Sequence, residues 1–304
     1  MTTTEHQEAR RGVLYGIVAY GAWGLIPLYF KLVHEVPALE VLAHRVVWSS
    51  LFLALLLTLL RRWGALGPTI ATRKVLIMLS ASTTLLAINW FTYIYAVSTN
   101  QVVEASLGYF LNPLVNVIIG VTLLGERLRD WQLASIVLAG IGVAMLGAPP
   151  IAVTLALSFA FYGLLRKTVA ADGLLSLYIE TALLLPLAVA YIGFLTYSDR
   201  GALVSGDASL VARLSASGVV TAVPLLAFAA AARRLRFSTL GFLQYLAPTV
   251  QFLLAVFAFH EPLTTTKLIA LSCIWAAVAI YSLDSLRYFR STRVQPAEPA
   301  PADV

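Results

Sequence analysis

Ten stretches of roughly twenty mostly apolar residues follow one another through almost the whole chain, each closed by charge or turn residues. They lie at about 12–32, 39–60, 75–97, 102–124, 132–148, 150–165, 174–197, 214–232, 237–259 and 267–284. A run of that length crosses ~30 Å of hydrocarbon as a helix, the one open-chain form that satisfies every backbone N–H and C=O internally. Composition agrees: 60% of the 304 residues are hydrophobic and only 12% are charged, against ~25% charged in a soluble domain. The expected fold class is an all-α membrane protein with ten transmembrane helices. A soluble enzyme, a disordered chain and a fibrous protein are excluded. The single Cys273 offers neither a disulfide framework nor a metal cluster.

The fifth and sixth runs are divided only by Gly147-Ala148-Pro149-Pro150. The two prolines lack N–H groups and break the ladder, so a tight hairpin is expected there. Residues 1–11 are polar, include Arg10 and Arg11, and read as a cytoplasmic segment ahead of a retained first span. Residues 287–304 end in Pro- and Ala-rich VQPAEPAPADV and read as a disordered cytoplasmic tail. Sixteen of the 21 Lys and Arg residues fall on one alternating side of the spans. Only Lys31, Arg200, Arg213 and Lys267 fall on the other, and Arg45 lies within a span. Basic residues stay cytoplasmic, so both termini are expected in the cytoplasm of a multi-pass cytoplasmic-membrane protein. The same rule accounts for Arg233-Arg234-Leu235-Arg236 as a topology anchor, with no nucleic-acid partner.

The chain resembles itself at an offset of 135 residues: Pro113 falls on Pro248, Asn116 on Gln251, Glu126 on Glu261 and Leu128 on Leu263. Five spans per copy is an odd number, so the second copy must be inverted. The halves are 12–148 and 150–286. Two inverted five-helix repeats are a sequence mark of secondary transporters, whose substrate site lies near the midplane between the copies. Pro113 and Pro248 both fall roughly 17 Å into their spans. A proline there frees a carbonyl one turn back, which either needs another partner or only kinks the helix.

Polar residues inside the spans are the candidate functional groups, because lipid makes each of them costly. Glu104, Gly108, Asn112 and Asn116 recur every four residues of the fourth span, on one helical face. Gly241, Gln244, Pro248 and Gln251 share a face of the ninth, beside Tyr245. Asn89 and Tyr93 lie in the third, Tyr20 and Trp23 in the first, and Tyr162 in the sixth. Together they suggest a central cavity with amides for hydrogen bonding and aromatic walls. The same amides also serve as interhelical ties worth ~0.6 kcal/mol each.

His44, Arg45, Glu104 and Glu180 are the intramembrane charges. Arg45 and Glu180 match at the 135-residue offset but enter from opposite faces, about 10 Å deep each, which argues against a direct bridge. Glu104 or Glu40 is the expected partner of Arg45, and Gln244 or Tyr245 that of Glu180. Glu180 and His44 are titratable, which makes protons the candidate coupling ion. His34-Glu35 and His260-Glu261 do not extend to a zinc motif, since Ala38 and Thr264 stand where the second histidine would be. No Walker loop or GxSxG elbow is present. No cofactor, metal or enzymatic activity is expected.

Several stretches carry a resemblance. They are AYGAWGLIPLYFKL (Ala19 to Leu32), HRVVWS (His44 to Ser49), SLGYFLNPLVNV (Ser106 to Val117) with GERL (Gly125 to Leu128), ALSFAFYGLLRK (Ala156 to Lys167) and QYLAPTVQFLLAVFAFHEPL (Gln244 to Leu263). In order and spacing the chain resembles the EamA-type branch of the drug/metabolite transporter superfamily, and within it the RarD-type members. His260 departs from the symmetry, standing where the first copy has Gly125. The resemblance implies a permease for small organic molecules, acting as an exporter. It also implies a central cavity built from the first four spans of each half, with the fifth and tenth peripheral. RarD-type proteins have been linked by name to chloramphenicol sensitivity, which fixes no substrate. The competing class is a membrane sensor or assembly partner that uses the same bundle without a through-path.

Overall fold

The computed structural model describes residues 3–124, 129–169, 172–205, 207–232, 234–235 and 243–291. Every regular element among them is helical. In chain order these are α1 (Thr3–Lys31), α2 (Ala38–Leu59), α3 (Leu66–Ala71), α4 (Arg73–Ser98), α5 (Val102–Leu124) and α6 (Asp130–Met145). Then follow α7 (Pro150–Thr168), α8 (Gly173–Tyr197), α9 (Ala208–Ser215), α10 (Ser217–Ala232), α11 (Leu246–Leu253) and α12 (Thr265–Ser291). Seven segments are long and apolar enough to cross a membrane: Arg10–Lys31, Ala38–Leu59, Arg73–Ser98, Val102–Thr122, Gly173–Tyr197, Ala208–Phe228 and Thr265–Asp284. Three shorter apolar helices, Asp130–Met145, Pro150–Arg166 and Leu246–Ala258, lie at the fifth, sixth and ninth apolar runs.

Apolar side chains face outward as well as inward. Leu14, Val18 and Leu25 of α1, Leu51 and Leu55 of α2, and Leu187 and Phe194 of α8 are all exposed. That is the surface a hydrocarbon solvent requires, since polar atoms there would have no partner. The interior is a continuous core of Ile26, Phe30, Tyr93, Val97, Leu107 and Phe110 with residues of α7, α11 and α12. Close approaches occur where a side chain is missing. A Cβ on Gly108 of α5 would lie 2.7 Å from the Ala152 carbonyl of α7, and one on Gly218 of α10 would lie 2.5 Å from the Trp48 carbonyl of α2. Gly142 does the same for α6 against α12, at 2.8 Å from the Ala270 carbonyl. Small residues let backbones meet where lipid supplies no hydrophobic drive between helices.

The expected hairpin is present: Gly147 and Ala148 take positive φ, Ala148 N–H returns to the Val143 carbonyl at 3.1 Å, and Pro150 opens α7. Several boundaries differ from the sequence reading. The polar N-terminal segment is the first turns of α1, which starts at Thr3, and α12 runs on to Ser291, past the expected end of the second half at 286. The eighth run begins earlier, as α9, capped by the Asp207 carboxylate on Ser209 and Leu210 N–H. A hydrogen bond from the Ser209 hydroxyl, with those from the Leu210 and Ser209 amides, holds the Asp207 carboxyl below its ordinary range. Pro113 lies inside α5, whereas Pro248 lies in the first turn of α11, where its missing N–H costs little. A π-helical stretch, Leu254–Ala258, follows α11. Glu126 and Gly241 lie outside the described residues.

The two ends of the bundle are tied differently. At one end buried or half-buried carboxylates hold backbone amides. Glu261 accepts from Val102 and Val103 N–H at 2.7 and 2.9 Å, Glu104 from Ile151 N–H at 2.8 Å, and Glu40 from Ala202 N–H at 2.5 Å. Each such bond is worth about 1.5–3 kcal/mol. At the other end the ties are ion pairs: Arg62–Asp172 at 3.2 Å, Arg234–Glu8 at 2.9 Å and Arg129–Asp284 at 2.7 Å. The first of these is solvent-exposed, the class worth about 0–1 kcal/mol.

Candidate substrate site

Arg45 is a buried charge of the interior, 7% exposed. The close contact at Gly218 seats α10 against α2, and Thr221 on α10 accepts from Arg45 Nε at 2.9 Å. The guanidinium carbon lies 3.9 Å above the Trp90 ring of α4 and 5.6 Å from the Phe30 ring of α1. Tyr29, Tyr93 and Tyr109 are its electrostatic neighbours. No carboxylate among the described residues stands within ion-pair distance. The expected partners are therefore corrected. Glu104 caps α7 and Glu40 holds Ala202, so both are spent on amides that have no acceptor of their own. His44 Nε2 lies 4.0 Å from Glu40 Oε1, too long for a hydrogen bond, and has no other partner among the described residues.

Glu180 of α8 is fully buried. Ser82 of α4 donates to it at 2.5 Å, Tyr162 of α7 at 3.2 Å, and Arg166 Nη1 stands at 3.8 Å. Gln244 and Tyr245, its expected partners, are not among these. The reason is rotational: α8 turns Glu180 toward α4 and α7, away from α11.

A row of rings joins the two charges. Phe30, Tyr93, Tyr109, Phe159 and Tyr162 follow one another with centroids 6.0, 5.8, 6.1 and 6.2 Å apart. Asn89 lies beside this row. Its amide donates to Ser158 Oγ at 3.0 Å and the Leu155 carbonyl at 3.3 Å, while Tyr109 donates to its oxygen at 3.4 Å. It therefore ties α4 to α7. Gln251 is buried and donates to the Trp23 carbonyl at 3.1 Å, leaving Oε1 without a partner. Tyr20 and Trp23 form a third group with Phe228, and Tyr245 lies flat against Phe110 at 6.4 Å. Asn112 is buried with its oxygen unpartnered. Asn116, one turn on, is exposed, and Gln244 is half-buried. The amide stripe of α5 is thus split between interior and surface.

A buried amide oxygen or phenol without a protein partner calls for an explanation, of which a bound water or small molecule is one. Tyr93 Oη, Asn112 Oδ1 and Gln251 Oε1 are all of that kind.

Residues 10–148 match the EamA-like transporter family. Protein RarD of Escherichia coli K12 is 44% identical over 94% of this chain and 98% of its own length. The chain belongs to the EamA-like transporter family, among its RarD-like members. The uncharacterized transporter YojE of Bacillus subtilis is 38% identical over 95% of this chain and 99% of its own. A solved crystal structure is similar in fold, with a TM-score of 0.52 and 23% identity over 90% of this chain and 97% of that one. As an EamA-like, RarD-like protein this is a multi-pass membrane transporter.

Sequence reasoning missed Thr221, Ser82, Tyr109 and Arg166 around the two charges, and the capping role of Glu261. Hydroxyls carry no signal in an apolar run. The cap left one: the residue just before α5 is Gln101, where a Ser, Thr, Asp or Asn would usually hold the first amides.

Proposed function

We propose that residues 12–148 and 150–286 act as two inverted five-helix repeats, and that the protein moves a small organic molecule between them by alternating access. The observation that carries this reading is an exchange of partners. Arg45 of α2 bonds a hydroxyl on α10; Glu180 of α8, 135 residues on, bonds a hydroxyl on α4. The helix packing follows the same exchange. α1 packs on α10 as α7 packs on α4, and α1 on α11 as α7 on α5, while α2 pairs with α8 and α6 with α12. Inverted repeats of this kind open to either side by rocking about a fixed site.

The basic residues place the Arg62, Arg234 and Arg129 end in the cytoplasm, with both termini there and the chain in the cytoplasmic membrane. The end tied by Glu40, Glu104 and Glu261 is then the outer one. Substrate contacts come from the unpartnered Tyr93, Asn112 and Gln251, with Tyr20, Trp23, Asn89, Asn116, Tyr162, Gln244 and Tyr245 around them. Transport is facilitative or secondary active and runs outward. Glu180, between Ser82, Tyr162 and Arg166, is the residue we assign to proton coupling, with His44 as the other titratable group.

The test is uptake into proteoliposomes from a metabolite and drug panel, with and without a pH gradient. Asn112→Leu and Gln251→Leu should each lower flux about tenfold, the equivalent of ~1.4 kcal/mol, with the thermal midpoint of Asn112→Leu unchanged. Panel-wide absence of flux in active-fold protein rejects the reading.

A further inference from the structure

We infer that Arg45 is an anion subsite, and that the molecule it receives is a small monocarboxylate with an apolar or aromatic body. This rests on the transport reading and names its substrate class.

A guanidinium keeps its charge under all ordinary conditions, so Arg45 cannot escape its surroundings by losing a proton. A buried charge needs a counter-charge or a full set of hydrogen bonds. Arg45 has neither among the described residues. One of its three nitrogens, Nε, donates to Thr221, and no protein acceptor is in reach of Nη1 or Nη2. The carboxylates expected to pair with it, Glu40 and Glu104, are engaged by Ala202 and Ile151. What supports the guanidinium is the Trp90 face at 3.9 Å and the Phe30 ring at 5.6 Å. Stacking occupies the faces of the group and leaves its edge free. That edge is the fork that grips two oxygens of a carboxylate at once.

A second donor is available. Tyr93 is 4% exposed and its hydroxyl has no partner, whereas the neighbouring phenols are engaged, Tyr29 with the Arg213 carbonyl and Tyr109 with Asn89. One fork and one phenol suit a single negative charge. A phosphate dianion would need further cations, and no other Lys or Arg among the described residues stands beside Arg45. The rings of Phe30, Trp90, Tyr93 and Tyr109 offer walls for an apolar body.

The experiment is a binding titration on the full chain in neutral-lipid nanodiscs, read by tryptophan fluorescence. The probes are acetate, benzoate and phenylacetate against acetamide, benzamide and phenylacetamide, with chloride and inorganic phosphate as competitors. At least one carboxylate should bind saturably, and its amide about tenfold or more weaker. Arg45→Lys, checked for unchanged helical content, should weaken the carboxylate by about tenfold, and Tyr93→Phe should weaken it severalfold. Equal binding of acid and amide, indifference to Arg45→Lys, stronger competition by phosphate, or no bound carboxylate would each overturn the inference. Arg45-dependent binding without flux in proteoliposomes would uphold the subsite and sink the transport reading. Flux of neutral solutes untouched by Arg45→Gln would do the reverse.

Discussion

Arg45 and Glu180 hold matching places in the two halves, and each bonds a hydroxyl on a helix of the opposite half. Their surroundings part company at the counter-charge. Glu180 has Arg166 at 3.8 Å, whereas Arg45 has two aromatic rings and, among the described residues, no carboxylate in ion-pair reach. A carboxyl group also has a second way to be tolerated in a dry interior, by taking up a proton, and a guanidinium has none. The protein therefore completes one charged pocket from its own side chains and leaves the other incomplete. Pseudo-symmetry sets where the two charges stand; the residues around them set what each can do.

Breaking the completed pocket should cost most. Arg166→Leu leaves Glu180 buried without its counter-charge and should destabilise the protein by about 3 kcal/mol, read by unfolding in mixed micelles. Trp90→Leu removes the stacking face from Arg45 and should cost about 2 kcal/mol. If Trp90→Leu costs more than Arg166→Leu, the contrast is reversed and Arg45 is the better-held charge. Thr221→Val deletes one hydrogen bond to a charged group, about 1.5 kcal/mol, and the equivalent Ser82→Ala should be similar. A double-mutant cycle between Arg45 and Glu180 should give a coupling below about 0.5 kcal/mol, as for separated sites; a large coupling would merge the two pockets into one.

The smallest effect is expected at Glu8. Hydrogen bonds from Arg11 and Arg234 hold its carboxyl below the ordinary range. A depressed carboxyl contributes above its unfolded value and loses that contribution as pH falls through its folded one. The Arg234–Glu8 contact should therefore persist through mildly acid pH and fail only below the usual carboxylate range. Glu8→Gln should abolish that pH dependence and lower stability slightly at neutral pH, where the contribution is fully present.

Much of the plan was readable from the chain. The ten apolar runs, the Gly147 to Pro150 turn and the buried positions of Asn89, Tyr93, Asn112 and Gln251 follow from local rules. Partner assignment did not follow. Glu104 was a reasonable mate for Arg45 by depth, yet it is drawn to Ile151 N–H because Pro149 and Pro150 give α7 no side-chain cap. Asn116 shares a stripe with Asn112 but lies on the surface, since one turn along a crossing helix changes its neighbours.

By itself the sequence determined that this chain lives in lipid, how many apolar segments it has, and which charges lipid makes costly. Hydrocarbon imposes those conditions on each residue separately, so a local reading suffices. Only the tertiary structure decided that Arg45 rests on Trp90 and Thr221 while Glu180 meets Ser82, Tyr162 and Arg166. Such pairings depend on the rotation and depth of helices distant in the chain, set by where glycines such as Gly108 and Gly218 let backbones touch. No single segment carries that information.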